Sequence, residues 1–148
     1  MLLVDDDLMR RYALAQILRL DGFEVHSESG HASWLALFKS CLSEPALIVS
    51  FVAALDPDLL LLAVDGRAAL PTIGALRHHP LTDHVPVIAL GDRTRARELE
   101  TALALGAARS LLRPISAEVL RTEVGIVLAA QRPRPARTGD EVPDLDVN

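Results

Sequence analysis

Three consecutive aspartates, Asp5, Asp6 and Asp7, follow the apolar run Leu2-Leu3-Val4. Paired carboxylates at such a point suit two tasks. They can hold a hard divalent cation such as Mg2+ through oxygen ligands, or they can cap the next helix against its macrodipole. Asp65 stands shortly after the run Leu59-Leu60-Leu61-Leu62, and Arg113 follows Ser110-Leu111-Leu112. The chain shows no glycine-rich phosphate loop, no serine elbow and no acid–base pair beyond the aspartates, so a small hydrolase or nucleotide-binding enzyme is not expected. His78-His79 lacks an accompanying cysteine or acidic cluster and reads as a helix end. Cys41 is the single cysteine and reads as a small buried apolar residue.

The elements that must position these groups alternate along the chain. Leu2–Val4 reads as a strand buried on both faces. Leu8–Leu20 reads as a helix with Leu14, Ile17 and Leu18 on one face, stopped by Gly22. Phe23–His26 alternates like a strand, and a helix is expected over about 31–42. Glu44-Pro45 breaks it, and Ala46–Leu55 is nearly all apolar, suiting a helix with Pro45 in its first turn or a strand. Leu59–Leu62 is a buried strand, Thr72–His78 a short helix, Val85–Leu90 a fourth strand. Asp92 or Thr94 caps the next helix, which carries Leu99 and Leu103 on its core face and ends at Gly106. Ser110–Leu112 is a fifth strand, and Ser116 caps a last helix with Leu120, Val124, Val127 and Leu128 facing inward. Five parallel strands alternating with helices imply an α/β doubly wound sheet with helices on both faces. Ligands of such sheets sit beyond the carboxyl ends of the strands. Those ends carry Asp5, Asp6, Ala63, Gly91 and Arg113.

The 148 residues fit one domain, and a domain of that size buries roughly 70% of its unfolded surface, enough for a core without disulfides. A lone cysteine suits a reducing, cytoplasmic setting. The aspartates directly after Val4 argue against a signal peptide, and Asp56-Pro57-Asp58 interrupts the longest weakly charged stretch, so no membrane span is expected. A net charge of −5 argues against direct nucleic-acid binding.

Leu3-Val4-Asp5-Asp6-Asp7, followed by Arg10 or Arg11 and then Asp21-Gly22-Phe23-Glu24-Val25, resembles the opening of a response-regulator receiver (CheY-like) domain. Pro57-Asp58-Leu59-Leu60-Leu61-Leu62 resembles its third strand, and His79-Pro80-Leu81-Thr82 through Val85–Leu90 its approach to the fourth. Gly106-Ala107 with Arg113-Pro114 resembles its last signature. These pieces span 1–131. The resemblance implies the flavodoxin-like strand order 2-1-3-4-5. It further implies that two acidic residues hold Mg2+ beside a phosphoacceptor aspartate, and that a Ser or Thr and a Lys bind the phosphoryl oxygens, with an aromatic residue on the fifth strand.

Here only the first part is kept. Asp5 and Asp6 match the metal-binding acids, but the acceptor position is Ala63, the hydroxyl position Gly91, the lysine position Arg113 and the aromatic position Ser110. The chain is thus a degenerate, atypical receiver on this reading. Without a third carboxylate, Mg2+ at Asp5 and Asp6 is expected to be weak or lost, and no other cofactor is implied. Arg113 is expected to reach Asp5 or Asp6 and stand in for the ion, since a guanidinium can pair bidentately with a carboxylate. Asp65 is the alternative acceptor, with Asp5 and Asp6 binding Mg2+, but it stands about 6–7 Å too far along the strand direction.

The expected function is a non-enzymatic, phosphorylation-independent signalling module of two-component type that acts on a protein partner or as a homodimer. The face built from the fourth helix, fifth strand and fifth helix is the one such domains use to pair. It carries Arg93, Arg95, Arg97, Glu98, Glu100, Arg109 and Ser110. The stretch of about 26–56 is longer than the resemblance needs and reads as extra core or an interaction patch. Residues 132–148 are rich in Pro, Arg and Asp without apolar periodicity, and read as a disordered tail or linker.

Overall fold

The computed structural model describes residues 1–5, 7–27, 52–64 and 69–131. Asp6, Asp65, the expected helix at 31–42, the stretch 46–51 and the tail 132–148 lie outside the described residues, as does most of the 26–56 extension. The described elements are β1 (Leu2–Val4), α1 (Leu8–Leu20), β2 (His26–Ser27), β3 (Leu60–Ala63), α2 (Ala69–Arg77), β4 (Val87–Gly91), a 3-10 turn (Arg93–Arg95), α3 (Ala96–Ala104), β5 (Arg109–Leu112) and α4 (Ala117–Ala130). Residues 52–55 form a further helical segment. The strands make one parallel sheet in the order β2-β1-β3-β4-β5.

Strand alternation sorts the core into two layers. Leu3, Leu61, Ile88, Leu90 and Leu111 pack with Leu14, Ala15 and Leu18 of α1 and with Leu120, Val124 and Val127 of α4. Leu2, Leu60, Leu62, Val87 and Ala89 pack with Ile73 and Leu76 of α2, Leu99 and Ala102 of α3, and Val52. Both faces of the sheet are therefore covered, which is why β3 and β4 read as unbroken apolar runs. Each fully buried aliphatic side chain contributes roughly 1.5–3 kcal/mol relative to exposure.

Several boundaries differ from the sequence reading. The second strand is His26–Ser27 rather than Phe23–His26, because β1 is only three residues long and offers partners to these two alone, Leu2 to His26 and Leu3 to Ser27. Phe23 instead donates its backbone N–H to Leu18 O and closes α1. The third strand ends at Ala63 rather than Leu62. The fourth starts at Val87 rather than Val85, and Pro86, with no N–H to donate, precedes it and accepts from Leu60 N. Helix α2 begins at Ala69, which places Pro71 in the first turn where its missing N–H breaks no helical bond. Leu103 is 44% exposed and does not face the core. Ala102 takes that place at 0%, in the same layer as Leu99, Val87 and Ala89.

Ser116 caps α4 as its spacing predicts, accepting at 3.1 Å from Val119 N. Ser116→Ala is expected to lower stability by about 1 kcal/mol, read as a lower urea midpoint at unchanged slope.

Candidate functional site

The site lies where the carboxyl ends of β1, β3 and β4 meet the turn after β5. Val4 is level with Leu62, and Ala63 with Leu90, so Asp5, one step beyond Val4, stands beside Ala63 at the mouth of the sheet. Ala63 shares its face with Leu61, on the layer of α1 and α4. Gly91 opens to the other layer, where a β-carbon would meet Val64 Cγ2 at 3.0 Å, Arg95 Cβ at 3.3 Å and Leu99 Cδ2 at 3.4 Å. The space that a side chain at 91 would need is therefore already filled by Val64, Arg95 and Leu99.

Asp5 is the centre of the site. Its side chain is only 1% exposed, and its oxygens are occupied. Oδ1 accepts from Asp7 N at 2.9 Å and from Arg10 Nη2 at 3.2 Å. Oδ2 accepts from Arg10 Nε at 3.3 Å and from Arg113 Nη2 at 3.3 Å. A carboxylate offers about four lone-pair sites, and these contacts use all of them. Arg11, itself buried, donates from Nη1 to the Asp5 carbonyl at 2.7 Å.

Sequence reasoning did not assign roles to Arg10 and Arg11. The signal was available: both stand in the first turn of α1, which holds no acidic residue, and cations there oppose the helix macrodipole. Asp5 offsets that cost for both, with its carboxylate for Arg10 and its carbonyl for Arg11. Asp7 accepts from Arg10 N at 2.9 Å, and that backbone hydrogen bond, with smaller help from the Arg10 and Arg113 charges, holds its carboxyl below the ordinary 3.8. On the other side Asp92 caps the 3-10 turn. Its Oδ1 accepts from Thr94 Oγ1 at 2.5 Å and Thr94 N at 3.0 Å, and the hydroxyl is the main reason its carboxyl is also held low, with Arg113 adding to it.

The Asp7 effect has a definite sign. Its folded pKa is below its unfolded one, so the cap's electrostatic contribution is complete above about pH 4 and is lost as pH falls through the folded value. Asn is an equally good cap without a titrating charge. The stability difference between the natural chain and Asp7→Asn is expected to shrink below about pH 4, measured by urea unfolding at a series of acid pH values.

Arg95, at the N-cap of α3, pairs with Glu98 on α3 at 3.3 Å, and Arg109 reaches Glu123 on α4 at 2.5 Å. Ser110 lies on β5 opposite Ala89. These residues share the α3–β5–α4 side and do not contact Asp5. A cavity of about 360 Å³ opens at the other end of the sheet, beside Glu24, His26, Asp56 and Asp58. It holds none of the expected site residues.

No protein-family model and no curated protein matches the sequence. Solved structures do. The chain is similar to the signal receiver domain of a signal transduction histidine kinase from Syntrophus aciditrophicus, at 20% identity over 93% of this chain and 96% of that one, with a TM-score of 0.69. It is similar to a response regulator (signal receiver domain) from Bermanella marisrubri, at 20% identity over 86% and 95%, TM-score 0.66. It is similar to the receiver domain of NtrX from Brucella abortus, at 19% identity over 87% and 98%, TM-score 0.66. The chain has the receiver fold. The order β2-β1-β3-β4-β5 agrees with it, and no helix among the described residues is long and apolar enough to cross a membrane.

The receiver fold implies a Mg2+ site at this mouth, and the described donors do not fit one. Mg2+ requires near-octahedral oxygen ligation at about 2.0–2.1 Å. Both Asp5 oxygens are already committed to N–H donors, two of them guanidinium groups whose charge repels a cation. Ala63 adds no oxygen ligand from its side chain. Among the described residues no group of three or more His, Cys, Asp or Glu stands together to hold a metal.

Proposed function

We propose that this chain is a phosphorylation-independent, receiver-like signalling module that works through protein–protein contacts and carries out no catalysis of its own. The observation that carries the reading is the Asp5 carboxylate, buried beside the methyl group of Ala63 and hydrogen-bonded by Arg10, Arg113 and the Asp7 amide. Transfer of a phosphoryl group to a receiver needs a carboxylate nucleophile and positive charge free to meet the incoming oxygens. On this reading Ala63 occupies the acceptor position and has no nucleophile. The arginine charge that could stabilise the transferring group is engaged by Asp5.

Signalling then depends on a fixed shape. The α3–β5–α4 side, with Arg95, Glu98 and Ser110, is the surface offered to a protein partner or to a second copy. Its charges are partly paired within the chain. The exposed Leu103, Leu112, Val119 and Ile126 supply the apolar component that a stable contact requires. The expected setting is cytoplasmic.

The test is incubation of the protein with a small phosphodonor and Mg2+, followed by intact mass. The expected spectrum shows the unmodified chain only. A gain of one phosphoryl group would overturn the proposal, and mapping it to Asp65 would establish the displaced acceptor instead.

A further inference from the structure

We propose that Arg10 and Arg113 act together as a resident counter-charge for Asp5, a strap that takes the place of the divalent ion and makes the mouth of the sheet indifferent to it. The inference rests on the reading of this mouth as an inactive receiver pocket, and adds what holds it.

The two arginines arrive from different parts of the fold. Arg10 comes from the first turn of α1, five residues from Asp5, and Arg113 from the end of β5, 108 residues away. In the strand order β1 and β5 are separated by β3 and β4, so the Arg113–Asp5 contact joins the ends of two non-adjacent strands. Neighbouring strands stand about 4.8 Å apart, and the contact spans the carboxyl ends of β3 and β4, the end of the sheet at which Ala63 stands. An acceptor carboxylate and its bound ion would need that same region.

Burial favours the strap over an exchangeable ion. The Asp5 side chain is 1% exposed and that of Arg113 is 12% exposed. A cation entering the site would have to displace guanidinium nitrogens from a buried carboxylate and then remain beside them as a like charge. A planar guanidinium keeps its charge at every relevant pH and holds its hydrogen bonds in a fixed fork, which a lysine in its place would not. The Arg10 contact uses two nitrogens on two oxygens, the geometry in which such pairs are strongest.

The test is a double-mutant cycle of Asp5→Asn and Arg113→Gln, with melting curves taken in millimolar Mg2+ and in chelator. Each single variant is expected to melt roughly ten degrees lower, and the double variant to lose clearly less than the sum of the two singles, because both changes remove the same contact. The natural chain is expected to melt at the same temperature in Mg2+ and in chelator. Additive losses in the cycle, or a rise of several degrees in Mg2+, would overturn the strap. Arg113→Lys covers the case in which the singles do not fold. It is expected to melt below the natural chain and to stay indifferent to Mg2+, and a lysine variant equal to the natural chain would count against the need for a guanidinium at this position. A phosphoryl adduct in the mass experiment would remove the signalling reading while leaving this cycle standing, and additive losses would do the reverse.

Discussion

Asp5→Ala is expected to destabilise the fold by about 3–5 kcal/mol, the cost of removing one partner from a buried ion pair. The loss follows from what remains behind. Arg113, with its side chain only 12% exposed, would lose its contact with this buried carboxylate, and Arg10 and the Asp7 amide would lose the hydrogen bonds they make to it. The comparison within the same molecule is Arg95–Glu98, a pair with side chains 41% and 34% exposed. Removing either of those is expected to cost about 0.3–0.5 kcal/mol, the usual worth of a solvated helical pair. The measurement is the urea midpoint of the two variants at neutral pH, and a loss at Asp5 no larger than that at Glu98 would show that burial adds nothing to the site.

Gly106→Ala is expected to cost about 3 kcal/mol, combining left-handed strain with an overlap. Gly106 has φ +114, and an added β-carbon would stand 2.6 Å from Arg77 Cγ and 2.8 Å from Arg77 Cδ. Arg77 cannot retreat cheaply. Its Nη2 donates to the Val85 and Thr82 carbonyls, fastening the end of α2 to the approach to β4, and burial lowers its pKa from the ordinary value. Gly22 supplies the control. It has φ +92 with nothing within 4 Å of an added β-carbon, so Gly22→Ala carries the strain alone, about 1 kcal/mol. Equal losses at the two glycines, by thermal or chemical unfolding, would show that the Arg77 contact does not matter.

The architecture was legible because its signals are local and periodic. Leu8–Leu20 was readable as a helix from Leu14, Ile17 and Leu18 and from the stop at Gly22, whose positive φ only glycine adopts freely. Apolar runs at Leu59–Leu62 and Val85–Leu90 marked strands covered on both faces. Their ends were misplaced by one or two residues, because strand limits depend on the length of the neighbour, which no local pattern encodes. Leu103 was assigned to the core on helical spacing, but the buried face of α3 is carried by Leu99 and Ala102, three residues apart, and Leu103 falls beside it.

The site was less legible. The positions at the strand ends followed from chain order, and the chemistry expected of Ala63 followed from its residue type. The reach of Arg113 to Asp5, across 108 residues, was expected because the resemblance set both at the strand ends. What the spacing could not give was the share that Arg10 takes in holding the same carboxylate. Arg10 and Arg11 were visible as an electrostatic misfit at the start of α1, yet only the fold shows that one embraces the Asp5 carboxylate and the other its carbonyl.

The most direct measurement is the backbone amide spectrum of the natural chain, recorded by NMR as Mg2+ is titrated to millimolar concentration. With the Asp5 carboxylate held from within, the signals of Asp5, Ala63, Gly91 and Arg113 are predicted to stay where they are. Saturable shifts confined to those four amides would mean that the ion enters and the arginines yield to it, which contradicts the account.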